Sequence, residues 1–390
     1  VVLVNARYEP EGIGGPARSL RIWAERMVRD GHRPTVVCRG GAPRRVVERR
    51  RGVEVLRLPP SLSDGAAARA VAEVVERCRP HAVHTHFLKG FDRIALASVL
   101  AAAPCRRIHT LHEYSLLCSE GLLFRQGRPC RALCPDCGGV VARARPLAEA
   151  LDAVVGVSRH VLERHLAEGL FEHTPCRRVI ANSYDPPEAG AQTAPRPHRG
   201  LRLGYLGRLS LEKGLDHLLD AVNGMPHGAP LELLVAGRLD GPYARALQRR
   251  FAGPRIRFVG YADPGRFFPA IDVLVFPSLC EETFGRGVIE AQAHGVPVIV
   301  SDRGALPELV CPGATGWVYS PAEPGALQRL IRARLLDRGS LGSMAAGCRE
   351  AARAFTTERV MRSYYELYTG RAAEDPDERR ATSRERTAGQ

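Results

Sequence analysis

The chain has 390 residues with 56 basic and 42 acidic side chains, a formal charge of +14, and 45% hydrophobic content; this fits two soluble globular domains of roughly 150–200 residues each. No apolar run approaches the ~20 residues of a membrane span, and the opening "VVLVNARYEP" lacks the basic and small-residue marks of a signal peptide, so it reads as a buried strand. Cutting after Asp185 leaves +10 in the first part and +4 in the second, a bias that fits either solvated arginines or an anionic partner such as a phosphate, an acidic acceptor or an anionic membrane surface.

The first strand, "VVLVNA", runs into "GIGGPARSLRIWAERMVRDGH". Pro16 suits the first helical position, Leu20, Trp23, Ala24, Met27 and Val28 recur at helical spacing, and Gly31 is placed to end the helix. "RPTVVCRG" follows as a strand, which completes a βαβ unit and implies a parallel sheet. "HAVHTHF", "RRIHTLHEY" and "LDAVVGVS" continue the series, each apolar and ending in polar residues. In open α/β sheets, ligands gather at those carboxyl ends.

"YDPPEAGAQTAPRPHRG" has no apolar period and reads as a linker. A second βα series then runs through "LRLGYLGRL", "LELLVAG", "IRFVG", "IDVLVFPS", "VPVIVS" and "GWVYS". "TTERVMRSYYELYTG" is a last helix, and the charged stretch after it reads as disordered. The expected layout is a domain over 1–185 with a Cys-rich insertion at 118–137, and a linker over 186–200. A second domain over 201–355, a helix over 356–370 that returns to the first domain, and a tail over 371–390 complete it.

Between "IDVLVFPS" and "VPVIVS" lies "LCEETFGRGVIEAQAHG". The pattern predicts a helix over 284–294 with Thr283 as N-cap and Phe284, Gly285, Arg286 and Gly287 in the first turn. The unpaired amides and positive dipole there suit an anion or sugar oxygens. Glu282 precedes the helix and accepts from hydroxyls; Glu290, about one and a half turns in, reaches a vicinal diol. A diphosphate at the helix end, a sugar near Glu282 and a ribose near Glu290 together describe a nucleotide sugar. The spacing alone equally fits a helix with ordinary surface acids.

The wider context adds to this. "ETFGRGVIEA" followed by "GVPVIVSDRGALPELV" resembles the retaining nucleotide-sugar glycosyltransferases of family 4, which share the GT-B architecture of two Rossmann-like domains facing a cleft. "LGRLSLEKGLDHLLDAV" is similar to the Gly-Arg-Leu and Lys-Gly motif of that family, "GGPARSL" to its N-terminal glycine loop, and "VSRHVLERH" and "VIANSYD" to its late first-domain motifs. The likeness runs from Val1 to about Gly370.

It implies an α/β fold with an acceptor-binding first domain and a nucleotide-sugar-binding second domain. It implies that a hexosyl group moves from a nucleoside diphosphate sugar, with uridine preferred as the base, to an acceptor hydroxyl with retention. His112, Arg208, Lys213 and Glu282 are the implied catalytic residues. Gly14, Gly15, Gly207, Arg208, Lys213, Phe284, Gly285 and Glu290 are the implied donor-binding residues. Arg208 and Lys213 would hold the diphosphate; Lys213 and Lys89 are the chain's two lysines. The family has Asp or a small polar residue after its Thr-x-His; this chain has Glu113.

No catalytic cofactor or divalent metal is implied, and no Asp-x-Asp suggests one, since Asp375-Pro376-Asp377 lies in the charged stretch after the last helix. The acceptor classes open at this point are a sugar, an aminocyclitol, a natural product or a lipid phosphate, on a cytoplasmic protein with peripheral contact to the inner membrane face.

Cys118, Cys130, Cys134 and Cys137 form a second pattern. The two-residue gap of Cys134–Cys137 is that of a zinc knuckle, so a structural zinc on the four thiolates is expected, with unliganded thiols or disulfides as the other readings. Three further functions fit the sequence less well. A pyridoxal-phosphate phosphorylase needs a Schiff-base lysine, and Lys213 already has a role. A nucleotide-sugar epimerase would consume donor without acceptor. A nucleic-acid-binding protein has only the net charge in its favour.

Overall fold

The computed structural model describes residues 1–10, 14–185 and 200–370. In the first half the strands are β1 (Val2–Val4), β2 (Thr35–Arg39), β3 (Val46–Arg50), β4 (Val53–Leu58), β5 (Ala82–Thr85), β6 (Arg106–Leu111), β7 (Phe124–Arg125), β8 (Arg128–Pro129), β9 (Ala153–Gly156) and β10 (Cys176–Val179). Eight of them form one sheet in the order β10-β9-β6-β5-β1-β2-β4-β3, and β7 and β8 form a separate hairpin. The second half holds β11 (Leu201–Leu206), β12 (Leu231–Ala236), β13 (Ile256–Gly260), β14 (Val273–Phe276), β15 (Val298–Ser301) and β16 (Gly316–Tyr319), ordered β13-β12-β11-β14-β15-β16.

Both sheets are parallel except where β3 runs antiparallel to β4 at one edge. The central strands are buried at every residue, as in β5 and β9, because helices cover both faces. Strand β3 instead alternates between half-buried and exposed. Its Glu48, Arg49 and Arg50 protect the sheet edge from further pairing. The order in which the chain adds strands reverses between the parallel neighbours β1 and β5 and between β11 and β14, so each sheet opens a crevice at its carboxyl end there.

The helix Gly15–Arg29 buries Leu20, Trp23, Ala24 and Met27. Trp23 packs against Tyr364 of the helix Thr357–Thr369, ring centroids 4.9 Å apart. Removing a buried indole of this kind costs about 3–5 kcal/mol. The last helix therefore belongs to the first sheet's core, with Val360, Met361, Tyr364 and Leu367 in one cluster with Leu3, Val36 and Ile108. Where the chain returns to it, Tyr184 N donates to Phe355 O at 2.8 Å and Thr357 N to Asp185 Oδ1 at 2.8 Å. The tail at 371–390 lies outside the described residues, as does the linker apart from Gly200. No helix among the described residues is long and apolar enough to cross a membrane.

Candidate active site

Strand β11 ends in the loop that carries Gly207, Arg208 and Lys213. Arg208 is exposed and leans on Glu212, Nη2 to Oε1 3.0 Å. Leu211–Lys213 makes one 3-10 turn, closed by Gly214 at φ 64°. A Cβ on Gly214 would lie 2.1 Å from Pro277 O, so only glycine allows this loop to seat against the end of β14. That contact delivers Lys213: its Nζ lies 2.5 Å from Glu282 Oε1, and Ser278 Oγ donates to the same oxygen. Burial acts to lower the Lys213 pKa, but the Glu282 carboxylate and the nearby Cys280 together raise it and the net shift is upward, so the ammonium stays charged.

The segment after Glu282 differs from expectation. The helix is Arg286–Ala293, with Gly285 at φ 112° as its N-cap. Thr283 does not cap it; Thr283 Oγ1 donates to His112 O at 2.8 Å, while Thr283 O accepts from Ser158 Oγ at 2.7 Å. Phe284 is not in the first helical turn. It is 4% exposed and meets Phe355 edge-on at 5.9 Å. Burying such a ring is worth about 1.5–3 kcal/mol, and Gly285 in the left-handed region supplies the turn that lets the chain bury it before the helix begins. The first turn nevertheless faces the β11–β14 crevice, since a Cβ on Gly287 would come within 3.0 Å of Phe276 and 3.9 Å of Leu206 O.

Glu290 is buried and holds two guanidinium groups. Arg286 Nε is 2.9 Å and Arg18 Nη1 3.3 Å from Oε1, and Arg286 Nη1 also donates to Ser19 Oγ at 3.2 Å. Arg18 and Ser19 stand in the first turns of the helix Gly15–Arg29, so the two sheets meet at this carboxylate. Gly14 caps that helix at φ 150°, and a Cβ at Gly14 or Gly15 would meet nothing within 4 Å; the backbone there faces open space. Sequence reasoning missed Arg18, Ser19 and Arg286 as partners of Glu290, although all three lie inside the glycine-loop and "ETFGRGVIEA" motifs.

His112 follows β6 and is buried. Its Nε2 is 3.2 Å from His86 Nδ1, and Trp23 lies 5.8 Å from both rings. Behind them His84 bonds Tyr368 Oη at 2.8 Å and Thr110 Oγ1 at 2.7 Å. Burial pushes His112 down to about 3 and His84 and His86 well below the usual imidazole range, so these rings are neutral at pH 7 and act as hydrogen-bonding groups. The neighbouring Glu113 carboxyl is pushed up to about 7 by burial, against hydrogen bonds from Ser115. On the far side of the junction, His160 Nε2 is 2.8 Å from Glu281, and Glu308 accepts from Arg159 N and His160 N at 2.9 and 2.7 Å. The structure thus brings His112, Lys213, Glu282 and the Glu290 helix to one junction, with Arg208 at its exposed rim.

The expected zinc set is not formed. Among the described residues no group of three or more His, Cys, Asp or Glu side chains could hold a metal ion. The thiols of Cys118, Cys130, Cys134 and Cys137 are free: Cys134 Sγ lies 3.3 Å from Cys137 Sγ, and Cys118 hydrogen-bonds Cys137. Burial pushes the Cys137 thiol up to about 11. The insertion is braced by backbone bonds, with Cys130 N donating to Leu123 O at 2.7 Å across the β7–β8 hairpin.

Comparison with known proteins places these features in context. Residues 13–173 match the model described as Glycosyltransferase Family 4, and residues 200–337 the one described as Glycosyl transferases group 1. An uncharacterized 42.6 kDa protein in the cps region of Klebsiella pneumoniae is 26% identical over 332 residues, covering 79% of this chain and 87% of that one. A D-inositol 3-phosphate glycosyltransferase of Xylanimonas cellulosilytica is 27% identical over 305 residues, covering 73% and 71%. Among solved structures, Anabaena Alr3699/HepE in complex with UDP matches with a TM-score of 0.75 at 19% identity, over 95% of this chain and 99% of that chain.

Proposed function

We propose that this chain, a glycosyltransferase of the GT-B type with family 4 and group 1 domains, moves a hexosyl group from a nucleoside diphosphate sugar to an acceptor hydroxyl with retention at the anomeric carbon. The observation that carries the proposal is the Lys213–Glu282 pair, 2.5 Å apart, one residue from the Thr283 bond to His112 O. A fixed cation, a sugar-binding carboxylate and a neutral imidazole thereby share one junction. The UDP held by the similarly folded HepE favours uridine as the donor base.

In this reading the site resolves one electrostatic problem, the charge that grows on the departing diphosphate. Lys213, Arg208 and the first amides of the helix Arg286–Ala293 meet that charge, already oriented. Glu282 takes hydroxyls of the donor sugar, and His112 hydrogen-bonds the same sugar from the opposite sheet. Glu290 takes the ribose diol; both guanidinium contacts close on Oε1, and Oε2 is the atom offered to the ligand. Gly14, Gly15 and Gly207 give the donor close approach to backbone. As the glycosidic bond to the leaving oxygen breaks, the acceptor oxygen bonds to the anomeric carbon on the same face and its proton passes to the departing phosphate. Two protein cations supply the positive charge, so this step draws on no divalent ion.

The first domain offers the acceptor surface, and the candidate acceptors are a sugar, an aminocyclitol, a natural product or a lipid phosphate. Its basic excess suits peripheral contact with an anionic membrane on the cytoplasmic side. The test is a thermal-shift panel of uridine and guanosine diphosphate sugars, repeated in EDTA, followed by donor hydrolysis on the best binder and by NMR of the product anomer. A stabilising nucleotide sugar, turnover unchanged by EDTA and a retained anomer are expected. No shift with any nucleotide sugar, or an inverted product, would defeat the reading.

A further inference from the structure

Two cavities lie at the carboxyl edge of the first sheet, near its β1–β5 reversal. One, of about 480 Å³, is lined by Arg7 after β1, Arg39 after β2 and Lys89 after β5, with no acidic residue among its lining. The other, also about 480 Å³, shares Phe87, Lys89 and Gly90 with the first and runs past Arg93 to Glu113, with Asp64, Asp92 and Glu120 also in its lining. Gly121 of the Cys-containing insertion closes on Glu113: a Cβ there would lie 2.9 Å from Glu113 Oε2. The insertion is thus one wall of the second cavity.

The charges in this pair of cavities have different duties. Arg39 is committed to structure. It pairs with Asp64 at 2.9 Å and donates to the carbonyls of Pro60, Leu62 and Gly90, and so holds the loop that carries Lys89. Arg7 and Lys89 are exposed, and among the described residues neither has a carboxylate partner. Two uncommitted cations beside a cavity without an acid attract an oxyanion. Lysine is the compact point charge for such a group, and this is one of the two lysines in an otherwise arginine-based chain. At the other end, both Glu113 oxygens are oriented by Ser115 N and Oγ. Glu113 and His112 both follow β6, so this cavity ends at the strand end that carries the proposed donor-sugar contact.

We propose that the two cavities form the acceptor site, and that it takes a hydroxylated acceptor bearing an oxyanion, with Arg7 and Lys89 on the oxyanion and the reactive hydroxyl at Glu113. The proposal rests on the glycosyltransferase reading, and it extends that reading by giving the acceptor a charge and the insertion a place in its recognition.

The test is direct binding of glucose, glucuronate and glucose 6-phosphate to the full chain, with UDP binding measured separately on the same sample. Both anions are expected to bind on the order of tenfold more tightly than glucose, less so at high salt. The double variant R7A/K89A loses that preference while its melting temperature stays that of the parent, and K89R retains it. A second arm compares vesicles of phosphatidylcholine with and without phosphatidic acid. Vesicle binding that depends on Arg7 and Lys89 assigns the oxyanion to a lipid headgroup, and binding of the sugar anions alone assigns it to a soluble acceptor. Equal affinity for glucose and its anionic analogues, or a preference that survives R7A/K89A, overturns the proposal. Failure of UDP to bind counts against the donor reading and leaves the anion titration legible on its own.

Discussion

The two halves of the molecule prepare their ligand-facing groups in opposite ways. In the second half the charges are already spoken for: Lys213 holds Glu282, Arg208 holds Glu212, and Arg286 holds Glu290. In the first half the groups at the strand ends are neutral imidazoles, together with Arg7 and Lys89, which have no carboxylate partner among the described residues. On the proposed reading, paired charges keep their geometry before a nucleotide sugar arrives, which is what a site for a developing charge requires, and uncommitted or neutral groups leave room for an acceptor to be chosen by its own charge and hydroxyls.

The sharpest way to break this contrast is Lys213→Met. It strands Glu282 as a buried carboxylate and removes a cation from the leaving group. Turnover should fall about 10²–10³-fold, and stability should drop by about 3–5 kcal/mol, the usual cost of removing one partner of a buried pair. Steady-state rates and a denaturation midpoint check both numbers. A variant with full turnover would mean that the pairing has no part in the chemistry.

Glu290→Ala comes next. A charge-assisted hydrogen bond is worth about 1.5–3 kcal/mol, so the donor KM should rise by roughly one to two decades with a smaller change in kcat. The free Arg18 and Arg286 guanidinium groups should also make the variant bind inorganic diphosphate more tightly than its parent, which an isotherm can show.

Smaller effects concern pH. The Glu113 carboxyl is raised by burial to about 7, so the folded state holds a proton that the unfolded chain releases earlier. Its contribution to stability is present below the ordinary carboxyl range and is lost as pH climbs toward 7. Glu113→Gln should flatten the fall in melting temperature over that window. Glu281 behaves with the opposite sign: the hydrogen bond from His160, against the effect of burial, lowers its pKa, so its contribution is present above the ordinary carboxyl range and disappears on acidification. His160→Gln should make melting temperature slightly less sensitive to acid. His112, pushed down to about 3, predicts no break in the rate profile between pH 5 and 8 from that ring.

Much of the frame was legible because parallel strands covered on both faces must be apolar runs, as "AVVG" and "VIVS" are, and because the Glu282–Glu290 and Arg208–Lys213 spacings belong to local loops. Local chemistry also misled. Thr283 has the composition of a cap, but its hydroxyl serves a carbonyl 171 residues away, a partner that no local pattern reveals. The Phe284 ring lies in the core, since burial rewards a ring more than a place at a polar rim, and the motif alone does not show which way the ring turns. The cysteine spacing fits a metal on paper, yet Cys137 hydrogen-bonds Cys134 and Cys118. Arg18 reaches Glu290 only because the two sheets meet, and Lys89 acquires meaning only once the strand order puts β5 beside β1.

The bond from Tyr184 N to Phe355 O places the outgoing and returning strands of chain side by side where they pass between the halves. A few residues at such a crossing can absorb a change of backbone angle as a hinge. Swinging about such a hinge would part Thr283 from His112 and Arg18 from Glu290 in a single stroke. Contacts more than 170 residues apart in the chain would thus open together, and neither sheet would have to be remade.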